Sequence, residues 1–231
     1  MNQNFKQKDI AILLSPNRLK SYKNIDEHFD NLILIGGIAP KLAIIEIVLR
    51  NLMDILLKQQ EDEEWLLVDN FEDICEFKNK IINRLGKNST LTHDQFLSNF
   101  TLGMNIYLIK KFKLQEKIFL FQKLNFKYFY EENRNFYFSK NGKKIKFKDK
   151  DNANIILDLL SNIRNRAFHW ENLLKLIQKD QKLIPRLSIN MKNTIISIHP
   201  QKIDKFLDCI LNNLDSRLLE KLNTRFMVRE Y

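Results

Sequence analysis

Five glycines, four prolines and two cysteines are all that 231 residues contain of the types that bend, break or staple a chain. So few turn residues exclude a many-stranded sandwich or barrel and favour long helices. Cys75 and Cys209 are far apart and lack metal-ligand spacing, so neither a disulfide framework nor a zinc site is expected. No apolar signal core opens the chain, and a reducing, cytoplasmic setting follows. The longest apolar window, "NLILIGGIAPKLAIIEIVL", is interrupted by Gly36, Gly37, Pro40, Lys41 and Glu46. That pattern reads as a loop entering a buried helix, with no membrane partner. No metal or organic cofactor is implied by any His, Cys or carboxylate spacing.

What is present is a 44% hydrophobic fraction, enough for one globular domain over residues 1–231. Thirty-eight Lys and Arg outnumber 28 Asp and Glu, and a formal charge of +10 favours a polyanionic partner. The charge is unevenly spread. Residues 61–76 hold eight acidic and no basic groups, whereas residues 127–150 hold eight basic and three acidic ones. The acidic run reads as a solvated helix start and loop, or as a contact for a basic partner.

An all-α chain with one small β-hairpin is expected. Ser15 and Pro16 suit a first helix start, and Pro40 a second helix reaching about Gln60. "THDQ", residues 92–95, matches a capping box opening a helix through Lys111. Around Asn141-Gly142, "FYFSKNGKKIKF" alternates as a basic hairpin does. Asp151 can start a helix whose buried stripe includes Ile155, Ile156, Leu159, Leu160, Ile163, Leu173, Leu174 and Ile177. Pro200 opens a last helix to about Leu222.

Within "SNIRNRAFHWENLLK", residues 161–175, Asn165 and His169 stand four apart and share a helix face, while Arg164 lies about 140° around from His169. Histidine exchanges a proton near neutral pH, and arginine stays charged and grips phosphate oxygens with paired donors. Together they suit phosphodiester chemistry. Such residues also serve as ordinary surface or buried hydrogen-bonding groups, and the spacing by itself does not choose between the two.

"RNRAFHWENL" resembles the Arg-Asn-x-x-x-His signature of HEPN ribonucleases, and the arrangement looks like the Abi-like, or abortive infection, branch of that superfamily. "SPNRLKSY", "IEIVLRNLMDILL" and "FLSNFTLGMNIYL" occur in that family's order, so the resemblance covers roughly Ser15 to Leu222. The pairing of the motif with the earlier Glu-x-x-x-Arg-Asn string is more specific than either alone. Trp170 departs from the pattern, since many relatives carry a second histidine there.

The resemblance implies a HEPN-like helical bundle that forms a homodimer, faces two motifs across a cleft and cuts RNA without a metal ion. It implies His169 as general acid or base, Arg164 as stabiliser of the transition-state charge and Asn165 as an orienting group. It further implies a toxin or phage-defence role, with a neutralising antitoxin that a nearby small RNA could supply.

Glu46 and Arg50 are placed for an intrahelical ion pair, or Arg50 and Asn51 contribute to the RNA cleft. Arg166 is a phosphate-binding candidate or a solubilising side chain. His28, His93 and His199 read as capping or solvated groups. Lys143, Lys144 and Lys146 of the hairpin, near Tyr128, Tyr130, Phe136, Tyr137 and Phe138, suit phosphate attraction and base stacking; aromatic packing with a protective lysine edge is the other reading. A noncatalytic RNA-binding or interaction module remains the alternative to a nuclease. A DNA-binding regulator is less attractive, because no helix-turn-helix spacing stands out.

Overall fold

The computed structural model describes residues 10–68, 72–86, 91–119, 124–134, 137–179 and 181–227. It is mostly helical, with three two-stranded hairpins among the described residues. The chain forms two compact units, Met1–Ala43 with Phe121–Tyr231, and Ile44–Leu120.

Two short helices, α1 (Ile10–Leu13) and α2 (Pro16–Leu19), precede α3 (Ile25–Gln60), which begins in the first unit and ends in the second. Gly36, Gly37 and Pro40 lie inside α3, so the expected loop is helix. Proline forfeits one backbone bond and each glycine costs about 1 kcal/mol. Against this, Ile35, Ile38, Leu42, Ile45, Leu49, Met53 and Leu57 recur every three or four residues and are all buried. At roughly 1.5–3 kcal/mol per buried side chain, the stripe outweighs the breakers.

By length and composition α3 could cross a membrane, with a third of its most apolar window buried. Phe29, Ile33, Ile47 and Ile55 are exposed along it. The buried side is partly polar: the Lys41 ammonium sits 2.6 Å from carboxylate oxygens of both Asp204 and Asp208.

The second unit continues with α4 (Glu72–Leu85), α5 (His93–Ser98), α6 (Leu102–Lys111) and α7 (Gln115–Ile118). Thr92 and Gln95 form the expected capping box. The helix does not run unbroken to Lys111, because Thr101 caps α6 afresh, accepting from the Met104 N–H. In the acidic run, Trp65 and Leu66 are buried, and Asp69 to Phe71 fall outside the described residues.

His93 is buried, not solvated. Its Nε2 lies 2.6 Å from Asp54 Oδ1, which also accepts from Trp65 Nε1 at 2.9 Å, while Lys58 Nζ lies 3.1 Å from Asp54 Oδ2. Burial opposes ionisation of Asp54, yet hydrogen bonds from His93, Trp65 and Lys58 hold its carboxyl below the ordinary value. A depressed carboxyl stabilises the fold above its unfolded value and loses that contribution as pH falls through the folded one. Urea midpoints of the wild-type chain are therefore expected to fall from about pH 5 to about pH 2, and more steeply than those of Asp54→Asn. Parallel pH profiles would show that Asp54 is not linked to folding.

In the first unit α8 (Phe126–Phe129) precedes a hairpin of β1 (Tyr137–Lys140) and β2 (Lys143–Lys146). Asn141 and Gly142 turn it with φ of 50° and 74°, the left-handed pair that Asn-Gly tolerates. Phe126 and Phe129 are buried and Tyr128 is exposed; Phe136 lies outside the described residues.

After α9 (Asp149–Phe168) come two hairpins the sequence did not announce. They pair β3 (Leu176–Lys179) with β4 (Lys182–Pro185), and β5 (Ser188–Met191) with β6 (Thr194–Ser197). Lys192 and Asn193 turn the latter with φ of 50° and 60°. Buried Asn133 ties α8 to β6, donating to Phe126 O and Ser197 O and accepting from the Ser197 N–H.

His199 behaves as expected, its ring accepting from the Gln201 N–H. A short 3-10 turn, Pro200–Lys202, leads into α10 (Ile203–Met227), interrupted at Asp215, where the backbone is extended.

Candidate functional site

The motif sits at the end of α9, not in its interior. Ile155, Ile156, Leu159, Leu160 and Ile163 are buried along the helix as expected. Leu173 is buried beyond the helix, and Ile177 lies exposed in β3, so the apolar stripe stops earlier than the spacing predicts.

The stop is a Schellman turn. The Trp170 N–H donates to Ala167 O at 3.0 Å, and the Glu171 N–H to Arg166 O at 2.9 Å. Trp170 occupies the left-handed position with φ 55°, where glycine is the usual residue, a strain of about 1–3 kcal/mol. His169 is the C-cap residue itself. Asn165 and His169 are both exposed, and the His169 N–H donates to Asn165 O at 3.0 Å. Half-buried Arg164 places its guanidinium carbon 5.3 Å from the Phe168 ring centre, one turn along the helix.

Arg166 is half-buried and ion-paired. Its Nη1 lies 2.6 Å from Glu171 Oε2, and Arg186, between β4 and β5, pairs with the same oxygen. One carboxylate thus holds two guanidinium groups at the exit of the motif helix. A third arginine, Arg18, donates from Nη1 to Trp170 O at 2.9 Å. Two guanidinium groups on one carboxylate, with Arg18 on the preceding carbonyl, leave net positive charge that suits phosphate oxygens.

Asn31 of α3, fully buried, organises the segment behind the histidine. Its Nδ2 donates to Tyr22 Oη and Glu171 O, each at 3.1 Å, and its Oδ1 accepts from the Leu173 N–H at 2.8 Å. Buried Asn172 donates to Ser21 O at 2.6 Å and accepts from the Leu174 N–H at 2.8 Å. The strings "SPNRLKSY" and "RNRAFHWENL", about 150 residues apart, therefore meet in space. Tyr22 is buried, which raises its hydroxyl pKa. His28 packs its ring edgewise against Tyr22 at 4.8 Å; burial and the Arg18 cation hold it below the usual histidine range. His28 is thus a buried group, not a solvated one.

Arg50 and Asn51 stand on the second unit's part of α3, where Arg50 is half-buried and Asn51 exposed. Glu46, on the same stretch, accepts from the Leu102 N–H at 2.8 Å and so caps α6. Lys143, Lys144 and Lys146 are exposed on β2, but strand alternation puts Lys144 and Lys146 on one side and Lys143 on the other.

Arg18, Asn31, Glu171, Asn172 and Arg186 escaped the sequence reading. An asparagine inside an apolar helix was the one local signal for Asn31; Arg186 carried none. No protein-family model, curated protein or solved structure matches the chain.

Proposed function

We propose that this chain is a metal-independent endoribonuclease of the HEPN, Abi-like type, acting in toxin or phage defence. The observation that carries the reading is the exposed His169 at the end of α9, on the same face as Asn165 and followed by a backbone turn gripped by Arg18.

In this reaction the ribose 2′-oxygen attacks the adjacent phosphorus and the bond to the next 5′-oxygen breaks. The 2′-hydroxyl proton leaves to a base, and the departing oxygen takes a proton from an acid. His169 supplies one of these transfers and Asn165 orients the phosphate or the imidazole. Arg164 stabilises the charge gathering on the phosphorane. Its guanidinium packs on Phe168, so the cleft is completed by a second copy of the motif in a homodimer. A neutralising antitoxin, such as a small RNA, covers the same surface.

The second reading, a noncatalytic RNA-binding module, draws on Glu171, which already pairs Arg166 and Arg186 internally. A cleavage assay separates the two. The purified chain is expected to cut single-stranded RNA in EDTA, leaving 2′,3′-cyclic phosphate and 5′-hydroxyl ends, and to spare DNA of the same sequence. Binding without cleavage would select the noncatalytic module; cleavage of DNA would rule out attack by the 2′-hydroxyl.

A further inference from the structure

Immediately behind the motif lies a groove that the reading above leaves without a role. It is a cavity of about 280 Å³ between the turn at Lys20–Lys23 and the segment Asn172–Leu176. We propose that it seats one nucleotide of a single-stranded RNA within a few nucleotides of the scissile phosphate, a proposal that rests on the ribonuclease reading and adds a substrate subsite to it.

Charge is the first argument. Lys20, Lys23 and Lys175 line the groove against one carboxylate, Glu27. The Glu27 carboxylate is engaged by the Lys23 backbone N–H at 2.5 Å, and Lys20 Nζ rests on the neutral Asn17 Oδ1 at 3.0 Å. None of the three ammonium groups is paired with a carboxylate among the described residues, so a net positive rim faces solvent. A phosphodiester meets that rim with its own charge.

The apolar part of the lining is the second. Leu174, Leu176, exposed Leu183 and Tyr22 line the groove together with the lysines. Apolar side chains beside cationic ones fit a base and its phosphate, the combination that single-strand binding surfaces use. The volume lies near the lower end of small-molecule pockets.

Position is the third. Asn172, which lines the groove, is three residues beyond His169, and three residues span at most about 11 Å. A strand whose phosphate reaches His169 therefore passes the groove within a few nucleotides. The walls are preset, because buried Asn172 bonds both the Ser21 carbonyl on one side and the Leu174 N–H on the other. Little ordering is left to do on binding.

The test uses the full chain carrying His169→Ala and a labelled, 2′-O-methylated RNA decamer, read by fluorescence anisotropy across a salt series. Adding Lys20→Gln, Lys23→Gln and Lys175→Gln together is expected to weaken binding at least tenfold. The slope of log affinity against log salt should shrink by about 0.7–1.4, at about 0.7 for each phosphate flanking the seated nucleotide. Glu27→Gln keeps an acceptor for the Lys23 N–H and is expected to tighten binding a few-fold. Unchanged affinity and slope in a triple variant with wild-type circular dichroism would overturn the groove. So would a nucleoside monophosphate that binds as tightly as the decamer, or a Glu-rich peptide that displaces it at equal concentration. If the wild-type chain leaves RNA uncut while the lysine dependence holds, the subsite stands and the nuclease reading falls. Cleavage with an unchanged slope removes the subsite alone.

Discussion

His169→Ala is expected to reduce RNA cleavage by about 10²–10⁴-fold, the range by which a positioned proton-transfer group accelerates such reactions. The same change should leave far-UV circular dichroism and thermal stability close to wild type. His169 is exposed, so alanine opens no cavity. Its contribution to the helix end is the backbone N–H to Asn165 O, which alanine keeps. Loss of activity with an intact fold is the signature of chemistry carried by the imidazole. Cleavage within tenfold of wild type, in protein purified away from host nucleases, would remove His169 from the mechanism.

The competing explanation for such a loss, a disturbed turn, has its own marker. The Schellman bonds run from Trp170 and Glu171 to Ala167 and Arg166, and none uses the histidine side chain. A disturbed turn would therefore show as weakened protection of the Trp170 and Glu171 amides in hydrogen exchange. Wild-type protection beside lost cleavage assigns the effect to the imidazole.

The helical class, the capping box at Thr92, the Asn141-Gly142 hairpin and the buried stripe from Ile155 to Ile163 were legible because local chemistry decides them. The continuity of α3 was not. Gly36, Gly37 and Pro40 are breakers by intrinsic preference, and only the buried stripe on both sides of them reverses that preference. The end of α9 was misplaced for a related reason. Leu173 and Leu174 continue the apolar spacing of the helix, whereas the chain leaves it through a left-handed tryptophan that no propensity favours. The hairpins after α9 turn on residues such as Lys192 and Asn193, which lack the glycine that marks β1–β2.

The site divides along the same line. Arg164, Asn165, Arg166 and His169 are close in sequence and could be named together. Arg18, Asn31 and Arg186 reach the motif only through the fold, by bonds that span up to about 150 residues. Glu171 stood in view two residues after the histidine, yet its role depends on Arg186, which nothing local points to.

Asn31→Leu is expected to destabilise the fold strongly. Asn31 is completely buried, and its amide satisfies the Tyr22 hydroxyl, the Glu171 carbonyl and the Leu173 N–H together. Leucine is similar in size, so the loss falls on hydrogen bonding more than on packing. Each buried polar group left without a partner costs about 1–3 kcal/mol, and leucine's added burial offsets part of the sum, leaving about 3 kcal/mol. For a chain of this length that lowers Tm by roughly 6–12 °C. Asn31→Asp separates the two halves of the amide: its carboxylate still accepts from the Leu173 N–H but donates to neither Tyr22 nor Glu171. It should also weaken hydrogen-exchange protection less at Leu173 than leucine does. Both variants loosen the segment that carries Glu171 and hence the hold on Arg166 and Arg186, so activity should fall further than the folded fraction does. A Tm within about 2 °C of wild type for Asn31→Leu would show that the segment behind His169 is held by packing instead of by this asparagine.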